Sequence, residues 1–183
     1  MTLGLGKPIA RGQGVSWWAR IQTIDQFAKI IPYGKVQVLQ LDTNSLEANL
    51  GFYAWDGLEI LFGQSSAPLQ VQGDRSPDSL NLNLSLSSHT DCRIAQGYRV
   101  SHLTVGGLQP GGKINVVLPA QMVYASLRIS RQLLRNYLTV MQRFDLEQVL
   151  EDHHFLHLPQ TLPPVIAYLE QFRQVVLEQP EWL

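Results

Sequence analysis

The segment Leu80–Leu86, which reads Leu-Asn-Leu-Asn-Leu-Ser-Leu, carries the strongest folding signal in this chain. Successive side chains of an extended strand point to opposite faces, so this alternation places every leucine on one face and every polar side chain on the other. An α-helix would scatter the same leucines around its axis. The segment therefore predicts a β-strand with one apolar face, although leucine is not a favoured strand residue.

Similar patterns on both sides of this segment predict further strands. The predicted strands are Val36–Asp42, Leu46–Tyr53, Leu58–Phe62, Leu80–Leu86, Arg99–Val105, Lys113–Leu118 and Met122–Ile129. Turn-forming residues separate them, and the pair Asp56-Gly57 between two of the strands is a strong signal for a tight hairpin. About seven short strands with regular turn signals are typical of an antiparallel sandwich or barrel.

After Ile129 the spacing of apolar residues changes from two to three or four, which predicts helices. Ser130 is a favourable N-cap, a second short helix is expected from Asp145, and Pro163-Pro164 suits the first turn of a third. The apolar residues of the third helix are Leu162, Val165, Leu169, Phe172 and Val176. Their spacing is typical of a coiled-coil seam, so they form the predicted dimer interface. A helix packed on its own barrel explains the spacing equally well.

Length and charge define the broad class of the protein. With 183 residues and 45% hydrophobic content, the chain is expected to form one domain over residues 1–183, with a barrel at about 34–129 and helices at about 130–178. The net charge of -1 conceals a surplus of seven positive charges in residues 92–143 and of six negative charges in residues 144–183. These segments are expected to pair within the fold, to pair between subunits, or to form separate solvated faces. A net charge near zero argues against nucleic-acid binding by charge alone.

The usual signatures of catalysis are absent from the sequence. The single cysteine, Cys92, excludes an intrachain disulfide and a four-cysteine zinc site, and neither a nucleophile elbow nor a phosphate-binding loop occurs. His153 and His157 would share one face of a continuous helix and form half of a metal site. A packed helix end, with histidine near the helix dipole, explains them better, so no metal, cofactor or catalytic residue is predicted. Cys92, His89 and His102 are expected to be structural or surface residues.

Aromatic residues concentrate in the predicted strands. A barrel of about eight strands is wide enough to be filled by side chains or to hold one small ligand, and the sequence does not decide between these alternatives. The predicted walls of a ligand pocket are Phe52, Trp55, Phe62 and Tyr124. Trp17 and Trp18 precede the first predicted strand and are expected to cover an apolar opening or to contact a partner.

Several strand and turn features follow one another in a characteristic order along the chain. They are the lead Phe27–Pro32, the strands Val36–Asp42 and Leu46–Tyr53, the leucine-rich strand after Pro77, the strand after Gly97-Tyr98 that ends in Leu108, the turn Pro110-Gly111-Gly112, the segment Val116–Pro119, and the strand Val123–Ile129 that runs into a helix at Ser130. Together these features resemble the N-terminal regulatory domain of AraC-type transcription regulators. The resemblance covers roughly residues 25–180 and rests on patterns rather than on an invariant motif.

The resemblance implies a fold class of α+β, mainly β: a cupin-like double-stranded β-helix, or jelly-roll barrel, followed by two or three C-terminal α-helices. It also implies a non-catalytic domain that binds a small-molecule effector, forms a homodimer, and contacts DNA only through a C-terminal helix-turn-helix domain. The chain stops at Leu183, where that domain would begin, so we expect either a fragment of a longer regulator or a stand-alone sensor. The His-x-His metal signature of cupins is missing, and no metal residues are carried over.

Two alternative functions belong to other classes. One is a cupin-like enzyme whose metal is held by His153, His157 and an acid, and the other is a protein-interaction module whose barrel is filled by side chains. No apolar run approaches the ~18–20 residues of a membrane-spanning helix, and no signal peptide is visible. A cytoplasmic protein without membrane contact is therefore expected.

Overall fold

The computed structural model of the protein describes residues 14–31, 36–87, 93–143 and 145–178. These residues form a mainly β structure with two antiparallel sheets and a few helices. The strands are β1 (Val15–Ile21), β2 (Val36–Gln40), β3 (Ala48–Trp55), β4 (Leu58–Ser65), β5 (Leu69–Asp74), β6 (Ser79–Ser85), β7 (Arg93–Ala95), β8 (Tyr98–Val100), β9 (Thr104–Gly106), β10 (Lys113–Leu118), β11 (Tyr124–Ser130) and β12 (Phe155–His157). The helices are α1 (Ile24–Ile30), α2 (Arg131–Val140), α3 (Asp145–Asp152) and α4 (Leu162–Glu178).

The larger sheet has the strand order β1-β3-β4-β11-β6-β9-β12, and the smaller sheet has the order β2-β5-β10-β7-β8. From β4 onwards the chain passes repeatedly from one sheet to the other. The antiparallel pairs are nested along the sequence: β4 pairs with β11, β5 with β10, β6 with β9, and β7 with β8. Strands that are far apart in the sequence are therefore neighbours, and side chains from both sheets meet in a common interior.

Most predicted strands are confirmed, with small shifts of their ends. β10 has the predicted bounds Lys113–Leu118, and α2 begins after the predicted N-cap, Ser130, whose side chain accepts a hydrogen bond from the Leu133 amide. The β3–β4 hairpin turns at Asp56-Gly57, with the left-handed φ angles of 42° and 85° that this turn requires. The prediction of one strand over Arg99–Val105 is wrong, because its two halves are β8 and β9, which belong to different sheets.

Several elements were not predicted from the sequence, namely β1, β5, β7, β12 and α1. Trp17 and Trp18 lie within β1, so the prediction that they precede the first strand is wrong. Trp17 packs against the apolar cluster between the sheets, and Trp18 is 42% exposed. β7 and β12 contain only three residues each, which is too short for an alternation to be recognised. The predicted loop residues Cys92 and His89 lie outside the described residues.

The two faces of the larger sheet have different neighbours. On the outer face, Leu82 and Leu84 pack in one apolar cluster with residues of α4. On the inner face, Asn81 and Asn83 point toward the smaller sheet and line a cavity. The predicted separation of leucines from polar side chains is confirmed, and the polar face is the one enclosed between the sheets.

Helix α4 covers the outer face of the chain's own larger sheet. The buried residues of the predicted dimer seam are Leu162, Leu169 and Val176, with exposures of 3%, 4% and 0%. Phe172 contacts the rings of Tyr53 and Phe62, whereas Val165 is 40% exposed. Because these side chains are buried within one chain, they could contact a second chain only if α4 left the sheet. The contacts match the alternative in which this helix packs on its own barrel.

The interior between the sheets is filled by apolar side chains at one end. The apolar cluster there contains Ile21, Phe27, Val38, Leu50, Phe52, Leu61 and Leu69, which come from both sheets and from α1. At the other end, β6 and β11 of the larger sheet face β7 and β10 of the smaller one across a cavity. The fold therefore combines a filled half, which holds the sheets together, with an open half that offers a site.

Candidate ligand-binding cavity

A cavity of about 400 Å³ lies between the two sheets. Its walls come from β4, β6, β9 and β11 on one side and from β5, β7 and β10 on the other. Pockets for small ligands typically measure ~300–1,000 Å³, so this volume suits one small molecule. The sequence left open whether side chains fill the interior or leave room for a small ligand. The structure contains such an unfilled space.

The wall formed by β6 and β11 is polar. Its side chains are Asn81, Asn83, Tyr124, Ser126 and Arg128. The strand register places Asn81 opposite Arg128 and Asn83 opposite Ser126, so these side chains occupy neighbouring positions on one face. Because alternate residues of a strand share a face, the polar half of the Leu80–Leu86 alternation lines the cavity.

The facing wall, from the smaller sheet, is apolar. Its side chains are Val71, Ala95, Ile114, Val116 and Leu118. Val71 and Val116 are directly opposite each other in the pairing of β5 with β10. A cavity with one hydrogen-bonding wall and one apolar wall fits a ligand that has a polar side and an apolar side.

Two glycines provide the space that the polar side chains occupy. A Cβ atom at Gly63 would lie 2.2 Å from Cζ and 2.3 Å from Oη of Tyr124, so the phenol ring lies across β4 where no side chain is present. Gly107 has a φ of +90°, and a Cβ atom there would lie 2.2 Å from Nδ2 of Asn83. The positions of Tyr124 and Asn83 therefore depend on these glycines.

Tyr124 presents a neutral hydroxyl group. Burial raises the pKa of Tyr124, because the phenolate would lose its solvation by water. The hydroxyl group therefore stays protonated at neutral pH. In this state it both donates and accepts a hydrogen bond, which suits recognition of an uncharged or an anionic oxygen.

Two ion pairs flank the cavity. Arg128 pairs with Glu59 on the adjacent strand β4, and less than a third of either side chain is exposed. Lys113 Nζ lies 2.6 Å from Asp74 Oδ1, and both of these side chains are more than half exposed. The first pair therefore belongs to the enclosed wall, whereas the second lies at the solvent-exposed rim.

Arg93 links the two sheets. From β7 its Nη2 atom donates hydrogen bonds to the backbone oxygens of Asn83, at 2.9 Å, and Thr104, at 2.8 Å. The residue is only 3% exposed, and burial lowers the pKa of its guanidinium to about 10. Arg93 is therefore still a cation at neutral pH, although it is enclosed by protein.

Of the four aromatic residues predicted as pocket walls, the structure places Tyr124 on the cavity. Phe52 lies in the apolar cluster at the other end of the interior, where its ring stacks on Trp17 with centroids 5.3 Å apart. Phe62 packs on the outer face and borders a smaller recess of about 200 Å³, and Trp55 is 49% exposed. The structure does not bring Phe52, Phe62 and Trp55 to this cavity, because aromatic character alone does not reveal which face of a sheet is the inner one.

The polar residues of the cavity were not identified from the sequence. The alternation in Leu80–Leu86 already grouped Asn81 with Asn83 on one face, but it contained no sign that this face is enclosed. Arg93 had no local signal at all beyond its place in the basic stretch, because its hydrogen-bond acceptors lie on two other strands.

The histidines near the end of α3 do not share a helical face. The helix ends at Asp152, and the Nδ1 atom of His153 lies 2.8 Å from the backbone oxygen of Val149, as expected for histidine at a helix C-terminus. His157 lies in β12, with its Nδ1 atom 3.2 Å from the hydroxyl group of Thr104. The half-site prediction is therefore wrong in its geometry, and the described residues contain no group of three or more His, Cys, Asp or Glu side chains arranged to hold a metal ion.

No protein-family model, no curated protein and no solved structure matches this chain. Within the described residues, none of the helices has both the length and the apolar character that a membrane crossing requires.

Proposed function

We propose that this chain is a non-catalytic sensor domain that binds a small-molecule effector between its two sheets, in the manner of the AraC-type regulatory domains that its sequence resembles. The observation that carries the proposal is the polarity of the interior, where Asn81 and Asn83 face the cavity while Leu82 and Leu84 of the same strand pack under α4. Buried polar side chains lower stability unless they are hydrogen-bonded. A polar wall around an open space is therefore better explained by a ligand than by a purely structural interior.

The nested strand pairing supports the more specific proposal of a cupin-like jelly roll. In a jelly roll, a long antiparallel ribbon is rolled up so that its strands alternate between two sheets. The pairs β4·β11, β5·β10, β6·β9 and β7·β8 follow this scheme, with β7·β8 at the closed end of the ribbon. Cupin-like domains enclose their ligands between the two sheets, which agrees with the position of the cavity.

The same strands connect the cavity to the helices. β11 contributes Tyr124, Ser126 and Arg128 to the polar wall and continues without a loop into α2, whose N-cap is Ser130. The reverse face of β11 contributes Ala125 to the apolar cluster beneath α4. A ligand that favours one position of β11 would therefore favour one arrangement of both helices.

Dimerisation and DNA binding belong to the same proposal. Since the inner face of α4 is covered, a homodimer through this helix would use its exposed apolar residues Val165, Tyr168 and Val175. DNA would be contacted by a separate helix-turn-helix domain of a cytoplasmic regulator, whose half-site spacing the dimer would determine. The paired substitution Tyr168→Glu and Val175→Glu is expected to convert a dimer into a monomer in analytical ultracentrifugation. A dimer of unchanged stability would contradict this interface.

Ligand binding is tested by thermal unfolding in the presence of a broad library of metabolites. A ligand that binds only the folded state raises the melting temperature, by an amount that grows with its concentration. Val116→Trp places a large side chain in the cavity from its apolar wall and is expected to abolish the increase. Thr139→Trp, on the exposed side of α2, is the matched control and is expected to retain it.

Three outcomes decide the proposal. A ligand-induced increase in melting temperature that is lost in Val116→Trp and kept in Thr139→Trp supports a site between the sheets. An increase that both variants retain places the ligand elsewhere and contradicts the proposed site. Absence of any increase across the library contradicts the sensor function and favours an interaction module. Circular dichroism of both variants verifies that they fold.

A further inference from the structure

Arg93 is a buried cation whose hydrogen-bonding capacity is only partly used. Both hydrogens of Nη2 are donated to backbone oxygens, of Asn83 and Thr104, but the buried Nε–H group has no acceptor. Among the described residues no carboxylate pairs with Arg93, and its side chain lines the cavity. A buried cation without a counter-charge is costly, so an anionic group that reaches the guanidinium from the cavity would stabilise the folded protein.

The charges around the cavity do not balance. The cavity wall and its ion-pair partners include the cations Arg75, Arg93, Arg128 and Lys113 and the anions Glu59 and Asp74. Each anion already has a partner, Arg128 for Glu59 and Lys113 for Asp74. Arg93 and Arg75 have no carboxylate partner among the residues that the structure describes. Counted over the residues that the structure describes, the site therefore has two more cations than anions.

The wall opposite the hydrogen-bonding residues limits the kind of anion that fits. Ile114, Val116 and Leu118 project from β10 into the cavity, where they cannot hydrogen-bond to a strongly hydrated inorganic ion. They offer apolar surface to a hydrocarbon or aromatic body, whose transfer from water is favourable. A ligand that satisfies both walls has an anionic group at one end and an apolar body.

We propose that the effector is a small amphipathic carboxylic acid, whose carboxylate binds Arg93 and whose apolar body lies against β10. This inference rests on the proposed ligand-sensing function. The guanidinium group is the side chain best suited to a planar carboxylate, and such charge-assisted hydrogen bonds are about twice as strong as neutral ones. Tyr124 and Asn81, on the polar wall, are the neutral donors for the rest of the polar group.

A purely structural role for Arg93 predicts different behaviour. β6 and β9 are paired directly only through Asn83 and Gly106, and the two Arg93 hydrogen bonds reinforce this junction. If that were its whole role, removal of Arg93 would lower stability without changing which ligands bind. Discrimination between a charged ligand and a neutral ligand of the same shape separates the two roles.

The experiment compares acids with their own amides. Octanoate, benzoate and 3-phenylpropanoate are titrated into the protein by calorimetry, each beside octanamide, benzamide or 3-phenylpropanamide, which have nearly the same shape and no charge. At least one acid is expected to bind at least about tenfold more tightly than its amide, the factor for one charge-assisted hydrogen bond. Arg93→Gln is expected to remove this preference, and Arg93→Lys to retain part of it. Arg99→Gln, exposed on β8, is the control and is expected to retain all of it.

The outcomes separate the inference from the function on which it rests. Equal binding of acid and amide overturns the carboxylate assignment and leaves a ligand site in place. The carboxylate assignment is also overturned if the metabolite library yields a neutral effector whose binding is abolished by Val116→Trp. If none of the acids or amides binds and no compound of the metabolite library binds, both the inference and the sensor function are wrong. The comparison of acid with amide on the unmodified protein decides the question even if Arg93→Gln does not fold.

Discussion

At the scale of single residues, the cavity depends on positions where a side chain is missing. The phenol ring of Tyr124 lies over Gly63, its partner in the pairing of β11 with β4. A larger residue at position 63 would push the ring out of this place. Gly63 thus shapes the cavity through Tyr124, without lining it itself.

Gly63→Ala is expected to destabilise the protein by about 1–3 kcal/mol, the usual cost of forcing atoms into an occupied space. Urea unfolding measures this change. In a Tyr124→Ala background the same substitution is expected to cost much less, because the ring that it meets is absent. Equal costs in both backgrounds would show that the ring does not limit this position.

At the scale of secondary-structure elements, α4 shows how one sequence pattern fits two structures. The three-and-four spacing of Leu162 to Val176 is the same whether the apolar stripe meets another helix or a sheet. The buried stripe here meets the outer face of the chain's own sheet, and the leucines of β6 supply the opposing surface. The leucine face of β6 and the apolar stripe of α4 therefore bury each other.

Leu169→Ala is expected to lower the free energy of unfolding by about 2–5 kcal/mol, because a fully buried leucine leaves a cavity behind. Val165→Ala, on the exposed side of the same helix, is expected to cost about 0.5 kcal/mol or less. Chemical denaturation of both variants as dilute monomers provides the comparison. Similar losses for the two substitutions would contradict the observed orientation of α4.

The pair Glu170–Arg173 makes the stability of α4 depend on pH. Hydrogen bonds from Arg173 lower the pKa of Glu170 below its ordinary value of 4.5. A lowered folded-state pKa stabilises the protein at pH values above 4.5, and this stabilisation is lost as the pH falls through the lower value. Glu170→Gln is therefore expected to reduce stability at about pH 7 but not at about pH 3, in urea titrations at both. An equal effect at both pH values would mean that the carboxylate charge does not matter.

At the scale of the whole molecule, the filled and open halves of the interior contact different elements. The apolar cluster around Leu50 and Phe27 holds β1, β3 and α1 against the smaller sheet. The cavity half is connected through β11 to α2 and α4. If the proposed ligand binds in the cavity, it would therefore act first on β11 and on the start of α2, whereas α1 and the strands β1 and β3 lie in the filled half.

Hydrogen exchange is expected to show this division. A bound effector should slow amide exchange in β11 and in the first turn of α2, since it stabilises the strand that leads into the helix. Exchange in β1 and β3 should change little. Uniform slowing across all strands would indicate only a general increase in stability and would contradict a specific connection between cavity and helices.

Much of the local structure was predictable, because local structure follows from neighbouring residues. The alternation in Leu80–Leu86, the turn at Asp56-Gly57 and the N-cap at Ser130 each depend on the geometry of a few consecutive residues. Elements of three residues, such as β7, contain too little pattern to be recognised. The assignment of one domain over residues 1–183 and the family resemblance stay predictions.

The sequence by itself determined most of the longer strands, the three C-terminal helices and the separation of polar from apolar side chains in β6, because backbone periodicity requires only local information. The tertiary structure alone decided which face is enclosed: the asparagines of β6 face a cavity because α4, about eighty residues later, covers the leucines. It also decided that Arg93 is buried beside Asn83 and Thr104, on strands that only the sheet order makes its neighbours. Burial and charge pairing are properties of contacts between distant residues, so they become visible only once the sheets are assembled.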